Sequence, residues 1–182
     1  MSITNKNRAI FLDRDGVINR EVNYLSDPDL FEFIPGSIEA LKILKQKGFL
    51  LIVITNQAGI ARGYFSEETL NQIHDKMNRI LYENNIILDD LFYCPHHPDF
   101  TGACNCRKPN PGMMLKAKKK YNIDLQASFM VGDTLIDIET GKLANCKTIL
   151  VLTGYGTKQR KKIDSIKPDF IYDSLLEFAK NL

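Results

Sequence analysis

Short apolar runs alternate with longer amphipathic segments along the whole chain, and this alternation most strongly limits the folds open to it. Continuous apolar runs are typical of strands buried on both faces of a parallel sheet. They predict strands at 9–13, 49–55, 91–93, 129–133, 148–152 and 169–172. Helical periodicity and capping signals predict helices at 37–47, 66–81, 111–121, 136–144 and 174–182. The pattern predicts an α/β fold, a Rossmann-like parallel sheet with helices on both faces.

The length and composition predict one folded domain that spans residues 1–182. The chain is 44% hydrophobic and 25% charged, which is typical of a folded soluble protein. It has no apolar run of 18 residues, and Met1–Arg8 lacks the apolar segment of a signal peptide. We therefore expect a cytoplasmic protein without a membrane partner, and a monomer, because no segment marks an interface.

The charge distribution gives little support to a nucleic-acid partner. The formal net charge is +2, which is too small to predict binding to a polyanion. Basic runs occur at 116–120 and 158–162. We interpret the first as a solvated helix face and the second as a charged surface loop, with a nucleic-acid patch as the alternative.

Polar side chains follow four of the predicted strands at the points where those strands end. Asp13, the pair Thr55-Asn56, the loop that starts at Cys94, and Asp133 occupy these positions. The carboxyl ends of parallel strands meet at one edge of a sheet, which is where open α/β sheets bind ligands. Asp15 lies two residues after Asp13 and projects to the same side while the chain stays extended. The sequence therefore predicts a functional site with paired carboxylates at this edge.

Three cysteines and a histidine in paired spacing predict a closed zinc site. The candidate ligands are Cys94, His96, Cys104 and Cys106, although residue chemistry alone also allows His97 as the fourth ligand. In a chain without export signals, clustered cysteines favour metal binding over the alternative of two disulfides. A Cys₃His set leaves no open coordination position, so the zinc would be structural.

The zinc loop leads directly into two cations, Arg107 and Lys108. A zinc ion that fixes this loop would also hold these side chains in place. The planar guanidinium of Arg107 suits a phosphate or sugar hydroxyls. The remaining cysteine, Cys146, lies far from the cluster, and we interpret it as a buried residue without a chemical role.

Four ordered motifs resemble those of the haloacid-dehalogenase-like (HAD) phosphatases. They are Asp13-x-Asp15-Gly-Val, Thr55-Asn56, Lys108 and Gly132-Asp133. Longer strings at 10–19, 55–63, 94–98 and 104–112 resemble the D-glycero-D-manno-heptose 1,7-bisphosphate phosphatases. Histidinol-phosphate phosphatases share much of this pattern. The resemblance covers nearly the whole chain.

The resemblance implies hydrolysis of a small-molecule sugar bisphosphate. Asp13 would attack phosphorus and form an aspartyl-phosphate, and Asp15 would act as general acid and then general base. Thr55 and Lys108 would stabilise the transferred phosphoryl group. The family removes the 7-phosphate and leaves heptose 1-phosphate for nucleotide activation and surface polysaccharide synthesis.

The resemblance also implies two metals and a set of substrate contacts. Catalytic Mg²⁺ would bind Asp13, Asp133 and the main-chain carbonyl of Asp15, and His96 would be the histidine ligand of structural Zn²⁺. Substrate contacts are implied at Asn19, Tyr24, Asn56, Gln57, Arg107 and Thr134. Many relatives carry lysine at the position of Thr134, so this chain lacks one substrate-side cation there. For Asp137 we favour a helix-capping role over one in the outer shell of the metal.

The intervals between the motifs leave no room for a separate cap domain, because a predicted helix and strand use most of each. Loops at 19–34 and 57–65 and the zinc loop would therefore select the substrate.

Three other functions remain as alternatives. A histidinol-phosphate phosphatase would use the same chemistry on a cationic substrate, against which Arg107 argues. A polynucleotide 3′-phosphatase would need a basic groove, which the near-neutral charge does not favour. A non-catalytic zinc-dependent binding module would not need the complete set of Asp13, Asp15, Lys108 and Asp133.

Overall fold

A computed structural model describes residues 6–182 and shows six parallel strands in the order β3-β2-β1-β4-β5-β6. The strands are β1 (Ala9–Leu12), β2 (Leu50–Asn56), β3 (Asp90–Cys94), β4 (Phe129–Gly132), β5 (Lys147–Val151) and β6 (Phe170–Tyr172). The predicted α/β fold is confirmed. The part of the signal-peptide prediction that concerns residues 1–5 lies outside the described residues.

Seven helices connect or flank the strands of residues 6–182. They are α1 (Ser37–Gln46), α2 (Glu67–Glu83), α3 (Pro98–Thr101), α4 (Gly112–Tyr121), α5 (Leu135–Leu143), α6 (Gly156–Arg160) and α7 (Leu175–Asn181). The basic run at 158–162 was predicted as a surface loop, but its first half lies in α6. The short α3 and a 3₁₀ turn at Pro28–Leu30 were not predicted, because elements this short carry little periodicity.

Apolar side chains from both faces of the sheet form two cores. Helices α1, α2 and α7 cover one face through residues such as Leu41, Ile73 and Phe178. Helix α4 covers the other face with Met113, Met114 and Ala117. The lysines around Ala117 are exposed, which confirms the prediction of a solvated helix face at 116–120. None of the described helices combines the length and apolar character that crossing a membrane requires.

The order of the strands reverses between β1 and β4, and this position defines the functional edge of the sheet. Leu12 at the end of β1 aligns with Val53 of β2 and with Val131 of β4. The residues that follow therefore meet in one crevice, at the topological switch point where open α/β sheets bind ligands.

Candidate active site

A buried ion-pair group lies in the crevice between β1 and β4. The Lys108 ammonium is 2.9 Å from a carboxylate oxygen of Asp13 and 2.6 Å from one of Asp137. Lys108 is only 3% exposed. The side-chain amide of Asn56 holds the Lys108 backbone, since Nδ2 donates to the Lys108 carbonyl and Oδ1 accepts from the Lys108 N–H. The end of β2 thereby positions the cation beside Asp13.

Three carboxylates lie close together in this crevice, and two of them pair with the Lys108 ammonium. Asp13, Asp133 and Asp137 each offer an oxygen, and these oxygens lie within 4.8 Å of one another. Burial, opposed in part by Lys108, raises the pKa of Asp13 to about 7. Burial, together with the Asp13 carboxylate, raises the pKa of Asp133 to about 8. A buried excess of negative charge on oxygen donors fits a hard divalent cation such as Mg²⁺.

Main-chain groups approach Asp133 closely from two sides. A side chain at Gly16, where φ is +80°, or at Gly154 would overlap the Asp133 carboxylate. The Tyr155 N–H donates to Asp133 Oδ2 at 2.7 Å. The backbone at Gly16 and Gly154 therefore forms a wall of the carboxylate cluster.

Asp15 is held outside that cluster by hydrogen-bond donors. Arg14 donates to both of its carboxylate oxygens, at 3.0 and 2.9 Å, while Asn19 and Gln57 donate at 2.9 Å each. Burial acts to raise the pKa of Asp15, but the Arg14 guanidinium and these donors outweigh it and bring the pKa below its usual value. Arg14 itself is fully buried, and its guanidinium forms an ion pair with Asp15.

Two predicted substrate contacts have a different environment. Asn19 is fully buried, and its Nδ2 donates to Asp15. Gln57 is 5% exposed, and its Nε2 donates to both Asp15 and the Thr55 hydroxyl. Both side chains therefore donate to the Asp15 carboxylate in this structure. Because the Thr55 oxygen accepts from Gln57, its own proton is directed elsewhere, as a phosphate ligand requires.

Thr134 and Asp137 form a capping box at the start of α5. The backbone N–H and the hydroxyl of Thr134 donate to Asp137 Oδ2 at 3.1 and 2.6 Å. The capping role favoured for Asp137 is confirmed, and its other oxygen pairs with Lys108. The Thr134 hydroxyl is thus engaged in the cap, and its predicted substrate contact stays a prediction.

The predicted contacts Tyr24 and Arg107 are both partly accessible at the surface. Tyr24 is 40% exposed and packs edge-on against the ring of Tyr64, with 4.9 Å between the centroids. It lines a small pocket that also contains Asp15 and Gln57. Arg107 is half-buried and donates to the His96 carbonyl at 3.1 Å.

The predicted zinc ligands come together in one cluster. They are Cys94, His96, Cys104 and Cys106. The distances between the three sulfur atoms are 3.1, 3.4 and 3.6 Å, and His96 Nδ1 lies 3.4 and 3.6 Å from two of them. Ligand atoms around a tetrahedral zinc with Zn–S bonds of about 2.3 Å stand about 3.8 Å apart, so the cluster fits this ion. His97 is turned away, and all four cysteines, including buried Cys146, are free thiols.

One buried ionisable residue next to the site was not singled out from the sequence. His74 on α2 is 6% exposed, and its Nε2 lies 3.0 Å from Arg14 Nη1. Because arginine only donates, Nε2 accepts and the ring is neutral. Its spacing from Leu70 and Met77 places it on the inner stripe of the helix, and this spacing is the signal that would have found it.

Replacing His74 by glutamine is expected to reduce the loss of stability on mild acidification. Burial and Arg14 lower the pKa of His74 to about 3, against about 6.5 in the unfolded chain. Its contribution is therefore complete above pH 6.5 and is lost as the pH falls. Between pH 7 and pH 5 the free energy of unfolding of the wild type should therefore fall by about 2 kcal/mol more than that of His74→Gln. Urea unfolding at both pH values will measure this difference. Equal losses would show that the fold does not lower the pKa of His74.

The comparisons with known proteins agree with this geometry. A model of the HAD-hydrolase-like family matches residues 105–178. The D-glycero-β-D-manno-heptose-1,7-bisphosphate 7-phosphatase of Pasteurella multocida (strain Pm70) is 46% identical over 179 residues, which cover 95% of each chain. The chain belongs to this family of HAD phosphatases. The protein of the same name from Escherichia coli (strain K12) is 48% identical over 152 residues, or 80% of each chain.

Solved structures of the HAD phosphatases extend the match to the fold. The crystal structure of D,D-heptose 1,7-bisphosphate phosphatase from B. bronchiseptica has a TM-score of 0.88 and 38% identity, and covers 96% of this chain and 97% of that chain. It is a complex with magnesium and phosphate. The corresponding enzyme from Burkholderia thailandensis has a TM-score of 0.74 and 31% identity, with the same coverage.

Proposed function

We propose that the chain removes the 7-phosphate of D-glycero-β-D-manno-heptose 1,7-bisphosphate and releases heptose 1-phosphate. The observation that carries this proposal is the buried Asp13–Lys108 pair, with Asp15 beside it, in a chain 46% identical to a phosphatase of that name. The names of the relatives support the β anomer. The product would retain its 1-phosphate for later nucleotide activation.

Asp13 is the proposed nucleophile. It would attack phosphorus in line with the sugar oxygen, so that the P–O bond to the sugar breaks and an aspartyl-phosphate forms. Lys108 and the Thr55 hydroxyl would stabilise the charge on the transferred phosphoryl oxygens. Asp13, Asp133 and the main-chain carbonyl of Asp15 would hold Mg²⁺. When bound, Mg²⁺ supplies positive charge that keeps Asp13 ionised and offsets the charge of the phosphate.

Asp15 would move the protons of both half-reactions. Its lowered pKa leaves it ionised in the free enzyme. A phosphate dianion bound beside it repels the carboxylate and raises its pKa, so proton uptake would accompany substrate binding. Protonated Asp15 would then donate to the leaving sugar oxygen, and the resulting carboxylate would take a proton from the water that hydrolyses the aspartyl-phosphate.

Replacing Asp15 by asparagine is expected to lower kcat by about 10²–10³-fold, because both proton transfers are lost. With p-nitrophenyl phosphate, whose leaving group needs no proton, the first half-reaction should persist and the second should stall. A stopped-flow trace should therefore show a burst of p-nitrophenolate of about one equivalent. A burst-free trace with unchanged kcat would contradict the role of Asp15.

Zinc is proposed to occupy the Cys₃His cluster as a structural ion. The fit of the ligand distances supports this assignment, and the cluster lies immediately before Arg107 and Lys108. It would fix the loop that supplies both cations.

The experiment that tests the function is Mg²⁺-dependent phosphate release from a panel of substrates. The panel contains both anomers of heptose 1,7-bisphosphate, fructose 1,6-bisphosphate, histidinol phosphate and a 3′-phosphorylated oligonucleotide. The proposal expects the highest kcat/KM for the β-heptose compound. Preference for histidinol phosphate or for the oligonucleotide would contradict the proposed substrate but would still agree with the proposed phosphatase mechanism.

A further inference from the structure

Arg62 joins two of the loops that border the crevice. It lies in the turn after β2, and its Nη2 is 2.9 Å from Nε2 of His97, at the start of α3. Its guanidinium carbon is 4.9 Å from the ring centroid of Phe100, which also packs edge-on against His97. These contacts link Arg62 to residues 35 and 38 positions later in the chain. These contacts of Arg62 with His97 and Phe100 form a brace that holds the α3 segment against the loop after β2.

The segment that Arg62 holds is connected to Arg107. His97 directly follows the zinc ligand His96, and the carbonyl of His96 accepts from Arg107 Nη1 at 3.1 Å. His97 also organises α3, because its carbonyl accepts from the N–H groups of Phe100 and Thr101. Two arginines therefore contact the same dipeptide: Arg62 contacts the side chain of His97, and Arg107 donates to the carbonyl of His96.

The other end of the connection is anchored in the acidic site. The N–H of Gln57 donates to the carbonyl of Cys94 at 2.8 Å, and its side chain donates to Asp15. The Arg62 N–H donates to the carbonyl of Ala58, next in the chain to Gln57. The loop that carries Arg62 is thus tied at its start to both the zinc cluster and Asp15.

We propose that Arg62 is a positioning residue for substrate recognition, which fixes Arg107 through His97 and Phe100. Arg62 does not donate to Asp13, Asp15 or Lys108 in the described residues, so it would act on binding rather than on phosphoryl transfer. The inference rests on the proposed function, because it assigns Arg107 to the part of the bisphosphate remote from the reacting phosphate. A small aryl phosphate lacks that part and would not depend on the brace.

Arg62→Met tests the brace, because methionine keeps apolar length but donates no hydrogen bond. For heptose bisphosphate we expect KM to rise about tenfold with kcat within about twofold. Kinetics with p-nitrophenyl phosphate and the zinc content should stay at the wild-type level. The exposed Arg79→Met on α2 is the matched control. An unchanged KM, or an equal loss with both substrates, would overturn the proposal.

A double-mutant cycle tests whether Arg62 acts through Arg107. If it does, Arg107→Met raises KM and the addition of Arg62→Met raises it little further. Independent, multiplying effects would refute this connection.

Amide hydrogen exchange supplies a readout that needs no substrate. The N–H groups of Phe100 and Thr101 should exchange faster in Arg62→Met than in wild type or Arg79→Met. Unchanged exchange would overturn the brace. If the wild type fails to hydrolyse heptose bisphosphate, the proposed function fails, while the exchange data still decide whether the brace exists.

Discussion

Replacing Asp13 by asparagine is expected to lower turnover at least about 10⁴-fold while the fold stays intact. The amide keeps the volume of the carboxylate but is a poor nucleophile for phosphorus. Burial already disfavours the charged form of Asp13, as its raised pKa shows, and Lys108 keeps its pair with Asp137. The neutral side chain should therefore cost little stability, and the thermal midpoint without metal should remain close to that of wild type.

The measurement combines steady-state kinetics with trapping of the covalent intermediate. Acid quenching of the wild type with radiolabelled substrate should leave phosphate on the protein, and the variant should retain none. Asp75→Asn, at an exposed position of α2, is the matched control for the same substitution. Substantial activity in Asp13→Asn, after exclusion of contaminating phosphatase, would remove the covalent mechanism.

Replacing Cys106 by serine is expected to reduce zinc content, loop stability and activity together. Serine is a weak zinc ligand, so the loop between Cys94 and Cys106 would lose the ion that holds it closed. Arg107 and Lys108 follow directly in the chain. Because Asn56 and Asp137 also hold Lys108, we expect a fall in kcat/KM of about 10²-fold rather than complete loss.

Zinc content by mass spectrometry, thermal unfolding and kinetics should be measured on the same preparations. Cys146→Ser is the control, since it makes the same change at a buried cysteine outside the cluster and should keep the zinc. Protein purified without chelator that contains no zinc would contradict the closed site. A Cys106→Ser variant that loses zinc but keeps full activity would show that the ion is not needed to position Arg107 and Lys108.

The sequence was sufficient to predict the parts of the site that belong to strand ends. Asp13, Thr55 and Asp133 follow apolar runs, and the convergence of parallel strands is a general property of such sheets. The zinc cluster was equally predictable from the sequence, because the spacing of cysteines is a local signal. The choice of His96 over His97 came from the family resemblance, and the structure brings His96 to the cluster.

Side-chain direction and long-range contacts were not predictable. Asn19 and Gln57 stand in the family motifs, but only the folded arrangement shows that both turn inward to Asp15. The contact of Arg14 with His74 joins residues 60 positions apart, and that of Arg62 with His97 joins residues 35 apart. No local pattern encodes such pairs, because each depends on how separate elements meet.

The pairing of β1 with β4 has a consequence for synthesis on the ribosome. β1 lies at the centre of the finished sheet, yet one of its two neighbours, Phe129–Gly132, is translated long after it. Until that stretch emerges, β1 is an edge strand with unpaired backbone groups, and the nascent amino-terminal half exposes apolar surface that β4 and α4 later cover. The carboxylates of Asp13 and Asp133 meet only when β4 pairs with β1, so the acidic site is completed by the second half of the chain.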